Sequence, residues 1–192
     1  MNGATLIFER EGFEGASVDM IAEAANVSKA TLYKYFPNKE ELFQVSIRRL
    51  CERYSKSLER LAVDEDDHDA VLMAMAGIVV RTFASQLLID LFRLALAESL
   101  RFPELGRTFY EAGPQEATRH IKANLERLVA GGWLAIDDCE LAARQFKELC
   151  KAELFHLAVL GIRDDFTEEE FEQVARRAVD MFARAYAPAE PS

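Results

Sequence analysis

Half of this 192-residue chain is hydrophobic and it holds only nine glycines and five prolines, which supplies a core and excludes an all-β protein, while abundant Ala, Leu, Glu and Arg favour helix throughout. The net charge of −10 is unevenly placed: residues 1–56 hold eight Lys/Arg and eight Asp/Glu, the other 136 fifteen and twenty-five, so an acidic body carries a neutral head. No apolar run nears the roughly eighteen residues of a membrane span, no basic signal-peptide start is present, and Cys51, Cys139 and Cys150 form neither a disulfide framework nor a metal motif. The expectation is a cytoplasmic protein with no membrane, metal or cofactor.

In chain order, Ala4 to Glu11 is a short helical run ended by Gly12. Ser17 is a natural N-cap for "SVDMIAEAANV", in which Val18, Ile21, Ala22 and Ala25 share a face. Asn26 and Val27 turn the chain, Ser28 caps "SKATLYKYF", and Pro37 stops it. Asn38 with Glu41 predicts a capping box for a long helix whose apolar stripe runs from Leu42 to Leu61 and ends at the acidic run 64–69. The second half is predicted helical throughout. "AVLMAMAGIVVRTFASQLLIDLFRLALAESL" is apolar on nearly every face, Pro103 restarts the chain, and Gly113-Pro114 breaks it again. An amphipathic helix ends at Gly131-Gly132, Asp137 with Glu140 caps one over 138–160, and Thr167 with Glu170 caps the last, over 168–186.

From Asn26 to Lys39 the chain has no acidic residue but holds three lysines, two tyrosines, a threonine and a serine. Two short helices joined by a tight turn, the second small and polar at its start, make a helix-turn-helix. A helix entering the major groove needs short side chains and donors at its N-terminus. Ser28, Lys29, Ala30 and Thr31 occupy that turn. Ala30 and the Thr31 methyl suit a thymine methyl, and Lys29 a guanine edge. Tyr33, Tyr35 and Lys39 suit phosphates, Ser17 the opposite edge of the groove, and Val18 and Lys34 complete the set. Leu32 and Phe36 face away, toward Ile21 and Leu42.

The segment "FEREGFEGASVDMIAEAANVSKATLYKYFPNKEELF" resembles the DNA-binding head of the TetR family of transcriptional regulators, through Gly12-Phe13, Ser17, Ile21, Ala22, Ala25, Val27, Thr31-Leu32-Tyr33, Tyr35-Phe36, Asn38-Lys39 and Leu42. The C-terminal half, above all "RFPELGRTFYEAGP", resembles an AefR-like TetR subgroup. Relatives carry a basic stretch before the first helix, and this chain is expected to begin partway along that helix. The resemblance implies an all-α protein of about nine helices: a three-helix head at 1–48, joined by a long helix to a ligand-binding and dimerisation bundle at 49–186, with a disordered tail at 187–192.

It also implies a homodimer on a near-palindromic double-stranded operator, released by a small, mostly hydrophobic effector. Pocket candidates are Phe83, Phe92, Leu96, Phe109, Tyr110, Phe146 and Phe155, with His120, Trp133 and His156 as polar contacts. Phe146, Leu149, Leu154, Leu157, Phe171, Val174, Ala178 and Phe182 are the dimer candidates, from the last two long helices. Two rivals stay open: a thiol sensor switching through Cys139 or Cys150, and a helical interaction module. No hydrolase, zincin, P-loop or dinucleotide motif recommends an enzyme.

Overall fold

A computed structural model of the chain describes residues 2–59 and 68–188, among which every regular element is helical. There are eleven α-helices and one π-helical turn, two more helices than expected. They divide into two compact units, Met1–Arg53 with Asp90–Pro114, and Tyr54–Ile89 with Gln115–Ser192. The first unit thus takes in a later segment as well as the expected head. Most of the acidic run 64–69 and the last four residues lie outside the described residues, as does Leu61.

In the first unit, α1 (Asn2–Gly15), α2 (Val18–Ala24), α3 (Lys29–Tyr35) and the start of α4 (Lys39–Glu59) close around an aromatic cluster. Phe8 and Phe13 both meet Phe43 edge-on, at centroid distances of 4.8 and 5.2 Å. Gly12 does not end α1. Its positive φ of 72° kinks the helix, a conformation open to glycine at little cost. A Cβ on Gly3 would lie 2.6 Å from the Ala24 backbone, so α1 and α2 approach backbone to backbone. From Asp90 onward, α6 (Gln86–Ser99) and α7 (Pro103–Tyr110) join this unit, and Phe102 brings its ring 5.0 Å from that of Phe13.

The second unit packs α5 (His68–Ala84), α8 (Glu116–Ala130), α9 (Cys139–Lys151), α10 (Leu154–Val159) and α11 (Glu168–Ala185) around one core. Leu72, Met75 and Ala76 of α5 are fully buried in it, which is why α5 reads as apolar on almost every face.

Three sequence expectations change. Gly113-Pro114 does not interrupt the helical hydrogen bonding but sits in a π-turn, Glu111–Gln115, between α7 and α8. The wider turn accommodates a residue with no N–H to donate. Asp138, not Asp137, caps α9, accepting the Glu140 and Leu141 amides at 3.0 Å. The helix expected over 138–160 is two, because the chain turns at Ala152–Glu153 before α10. The Thr167–Glu170 capping box is present.

Candidate nucleic-acid interface

The α2–turn–α3 unit is built by its caps. Ser17 accepts the Met20 amide at 3.1 Å and Ser28 the Thr31 amide at 3.0 Å, both with extended cap backbone. Between them Asn26 takes the left-handed φ of 53°, which Asn tolerates better than most residues. Leu32 turns inward, buried like Ile21 and Leu42, so the opposite face of α3 is free of core duty. Around Leu32, Ser28, Lys29, Ala30, Thr31, Tyr33, Lys34 and Tyr35 are all exposed, and Ser17 is exposed beside a half-buried Val18. Tyr33 and Tyr35 are 47% and 67% accessible, unusual for rings that serve only packing.

Two side chains have partners that residue pattern did not reveal. Lys29 donates to Asp19 of α2 at 2.9 Å, which raises its pKa. A base edge must therefore draw it off a carboxylate, rather than find it waiting as the sequence suggested. Lys39, the first residue of α4, holds its ammonium 4.6 Å from the centre of the Phe13 ring, which Phe102 meets from the later segment. Asn38 accepts the Glu41 amide at 2.8 Å, so the lysine stands at a capped helix start, where backbone N–H groups and the helix dipole favour an anion.

The pocket candidates are split between the units. In the first, Phe92 and Phe109 pack edge to face at 5.7 Å, whereas Leu96 and Tyr110 are exposed. In the second, Phe146 is fully buried in the core against Phe182, at 5.0 Å. His156 is exposed and Trp133 stacks on His68 at 4.3 Å. His120 is buried, but its ring lies 3.1 Å from the Arg119 guanidinium and 3.6 Å from Glu116 on its own helix.

Phe83 does face a polar partner, one that pattern reading missed. Its ring meets that of Phe155 edge-on at 5.6 Å, and the Lys151 ammonium lies 5.1 and 5.3 Å from the two ring centres. One turn earlier Lys147 is only 7% exposed. Burial and then the neighbouring Lys151 push its ammonium down to about 8. A lysine interrupting the apolar face of α9 was the available signal.

The dimer candidates lie mostly on the inner face of the bundle. Phe146, Leu154, Val174, Ala178 and Phe182 are buried in this chain's own core, and Leu149 and Phe171 pack against it; Leu157 is half-buried. The apolar stripe marks the inner face, because a lone bundle must bury it first. The outer face of α9 and α11 carries a groove of about 700 Å³ lined by Gln145, Leu149, Ala152, Met181, Phe182 and Tyr186, so that the candidates Leu149 and Phe182 border it, with Met181 63% exposed. The Tyr186 hydroxyl donates to Gln145 across it.

Neither thiol candidate is activated. Burial, then Glu126 and Asp138, raise Cys139, and burial pushes Cys150 up to about 12, the reverse of what a redox sensor needs. Among the described residues no group of three His, Cys, Asp or Glu side chains is placed to hold a metal, and no single helix is long and apolar enough to cross a membrane.

Comparison with known proteins agrees with this architecture. Residues 1–45 match the family model for bacterial regulatory proteins of the tetR family, and residues 70–188 the model for the C-terminal domain of AefR-like transcriptional repressors. The HTH-type transcriptional regulator YhgD of Bacillus subtilis (strain 168) is 29% identical over 160 residues, 81% of this chain and 80% of its own. Among solved structures, the flavonoid-responsive regulator FrrA is 38% identical with a TM-score of 0.83, over 97% of this chain and 94% of its own. A TetR-type regulator from Mesorhizobium loti MAFF303099 superposes with a TM-score of 0.81 at 26% identity, over 97% of this chain and 94% of its own.

Proposed function

This chain belongs to the TetR family of DNA-binding transcriptional regulators, whose C-terminal domain binds ligand, and from that premise we propose that it is a cytoplasmic homodimeric repressor of a near-palindromic operator, released by a small apolar effector. The observation that carries the proposal is the acid-free exposed surface of α3, to which Ser28, Lys29, Ala30, Thr31, Tyr33 and Tyr35 all contribute behind a side-chain cap. Short residues at the helix start let the backbone enter the major groove, and Ala30 and the Thr31 methyl meet thymine. The two tyrosines and Lys39 reach phosphates on either side.

One such head makes few contacts, so a second is required. Two-fold symmetry sets the half-sites roughly 34–36 Å apart or a multiple of that, and makes the operator mirror the protein. The outer groove on α9 and α11 supports a partner here, since it is apolar and its Met181 is exposed. Release follows from linkage: an effector that favours a conformation with wrongly spaced heads weakens DNA binding by the factor by which DNA weakens effector binding. Its aromatic character is supported by Phe83 and Phe155, and by the flavonoid response in the description of FrrA. The work is binding, not turnover.

Selection of random duplexes by the purified protein at near-physiological salt tests the reading. A palindromic motif with fixed half-site spacing is expected. Enrichment of no motif, or of a single unpaired half-site bound by a monomer, would overturn it.

A further inference from the structure

We propose that the DNA-reading head holds a small-molecule site of its own, a groove between α1, α2, α3 and α4 that takes a medium-chain monocarboxylate and so excludes the operator. The site stands on the geometry of the head, and only the competition with DNA rests on the regulator reading above.

The groove has a volume of about 310 Å³, and every residue lining it lies between Ala4 and Arg49. Ile21, Leu32 and Leu42 are buried along its inner side. Ala4 of α1 and Ala25, just past α2, bring only a methyl each, which leaves the space between their larger neighbours unfilled. Arg49 stands seven residues, two turns, after Leu42 on α4, so both side chains leave the same face of that helix. Leu42 is buried and Arg49 exposed, which puts the apolar end of the groove inside and the guanidinium at its mouth.

The lining decides which ligand fits. None of its ten residues is acidic, in a chain whose net charge is −10. Arg49 is the one charged residue among them, while Thr31 and Tyr35 bring hydroxyls. A guanidinium donates two parallel N–H bonds to a carboxylate, a match that neither a neutral head group nor a point charge reproduces. Behind it the wall is mostly aliphatic, which suits a flexible hydrocarbon chain. A small inorganic anion would meet Arg49 and leave that wall wet, and a neutral chain would gain from the wall and nothing from Arg49. The volume is at the small end for ligand pockets and holds a chain of about eight to ten carbons.

Occupation bears directly on DNA. Thr31 and Tyr35 lie four apart on α3, so they share a face, and both are exposed. They are also two of the side chains assigned to the operator above. An acid in the groove touches both and sets a negative charge beside the helix that enters the major groove, where the phosphates repel it. Acid and operator therefore exclude each other, and each weakens the other by the same factor. This competition acts within one head and needs no change in the spacing of two.

Three probes separate charge from chain. Octanoate, octanamide and butyrate are titrated into the full chain without DNA and followed by calorimetry. Octanoate is expected to bind tenfold or more tighter than octanamide, which lacks the charge, and than butyrate, which lacks the chain. Arg49→Gln is expected to abolish the preference for acid while leaving octanamide affinity unchanged. Ala25→Met, which fills the groove, is expected to lose both octanoate and octanamide. With wild type, octanoate at ten times its dissociation constant should raise the apparent dissociation constant for the selected operator about tenfold or more.

Equal affinity for octanoate and octanamide, a preference kept by folded Arg49→Gln and Ala25→Met, or an operator bound as tightly with octanoate as without it overturns the proposal. An operator bound normally by a chain that ignores octanoate removes the head site and leaves the regulator reading standing. Failure to select any operator removes the regulator reading instead, and the calorimetry, which uses no DNA, still decides the site.

Discussion

Lys39 is placed by an aromatic ring, and Phe13→Leu tests how much that placement matters. The ring is 1% exposed and lies 6.1, 5.2 and 5.0 Å from Phe8, Phe43 and Phe102. Leucine retains most of the volume but loses three aromatic pairs, each worth about 0.5–1.5 kcal/mol beyond buried area. With partial compensation by repacking, the head loses roughly 1–3 kcal/mol. The Lys39 ammonium, 4.6 Å from the ring centre, also loses a cation–π hold of about 0.5–1 kcal/mol, or about two- to fivefold in DNA affinity per subunit.

The charge itself survives, so the slope of log affinity against log salt stays unchanged in Phe13→Leu. Lys39→Ala, in contrast, flattens that slope by about 0.9 per subunit, about 1.8 for a dimer. Fluorescence anisotropy on the selected operator, over a salt series and below the melting midpoint of each variant, measures both. In the double variant the DNA cost of Phe13→Leu should vanish, because there is no ammonium left to position. Fully additive losses would refute the reasoning, and so would a Lys39→Ala slope equal to that of wild type.

Other expectations follow from single contacts. Asp19→Asn removes the carboxylate 2.9 Å from the Lys29 ammonium, so DNA should be bound more tightly and with a steeper salt slope; weaker binding would show that the pair orders Lys29 for its task. A Cβ on Gly113 would lie 3.2 Å from the buried Cys51 sulfur, so Gly113→Ala should lower stability by about 1 kcal/mol, and adding Cys51→Ala should restore it in denaturant titrations. Met181→Arg places a charge in the outer groove of α9 and α11, and sedimentation should report monomers that still melt cooperatively; a dimer of unchanged affinity would move the interface elsewhere.

Glu170 accepts from Arg163 and from the Thr167 backbone, which hold its carboxyl at about 2. A carboxyl depressed on folding contributes stability above its unfolded value near 4.5 that is lost as pH falls toward about 2. Melting scans should therefore fall between those values, and Glu170→Gln should flatten the fall.

Local chemistry was legible in the residues themselves. Ser17, Ser28, Asn38 and Thr167 cap the helices they were expected to cap, because a cap depends on a side chain and amides two or three residues away. Leu32 and Ile21 turn inward because helical period assigns a face without knowing the neighbour. The same locality explains what the residues left open. An apolar stripe says that a face is buried but not against what, so Phe146, Val174 and Phe182 read equally as an interface and as this chain's core. Gly113-Pro114 reads as a break until a π-turn is known to absorb the missing N–H.

Sequence by itself determined that the chain is helical, that its start is a helix-turn-helix with an acid-free second helix, and that most of the negative charge lies in the body. Only tertiary structure decided that Asp19 holds Lys29, that Phe102 backs the ring under Lys39, and that Lys147 is buried one turn from Lys151 beside Phe83 and Phe155. Each of these except the one-turn spacing of the two lysines joins residues of different helices, and the burial of Lys147 depends on what packs over α9. Such distances are set by how whole helices pack, which no periodicity within a single helix encodes.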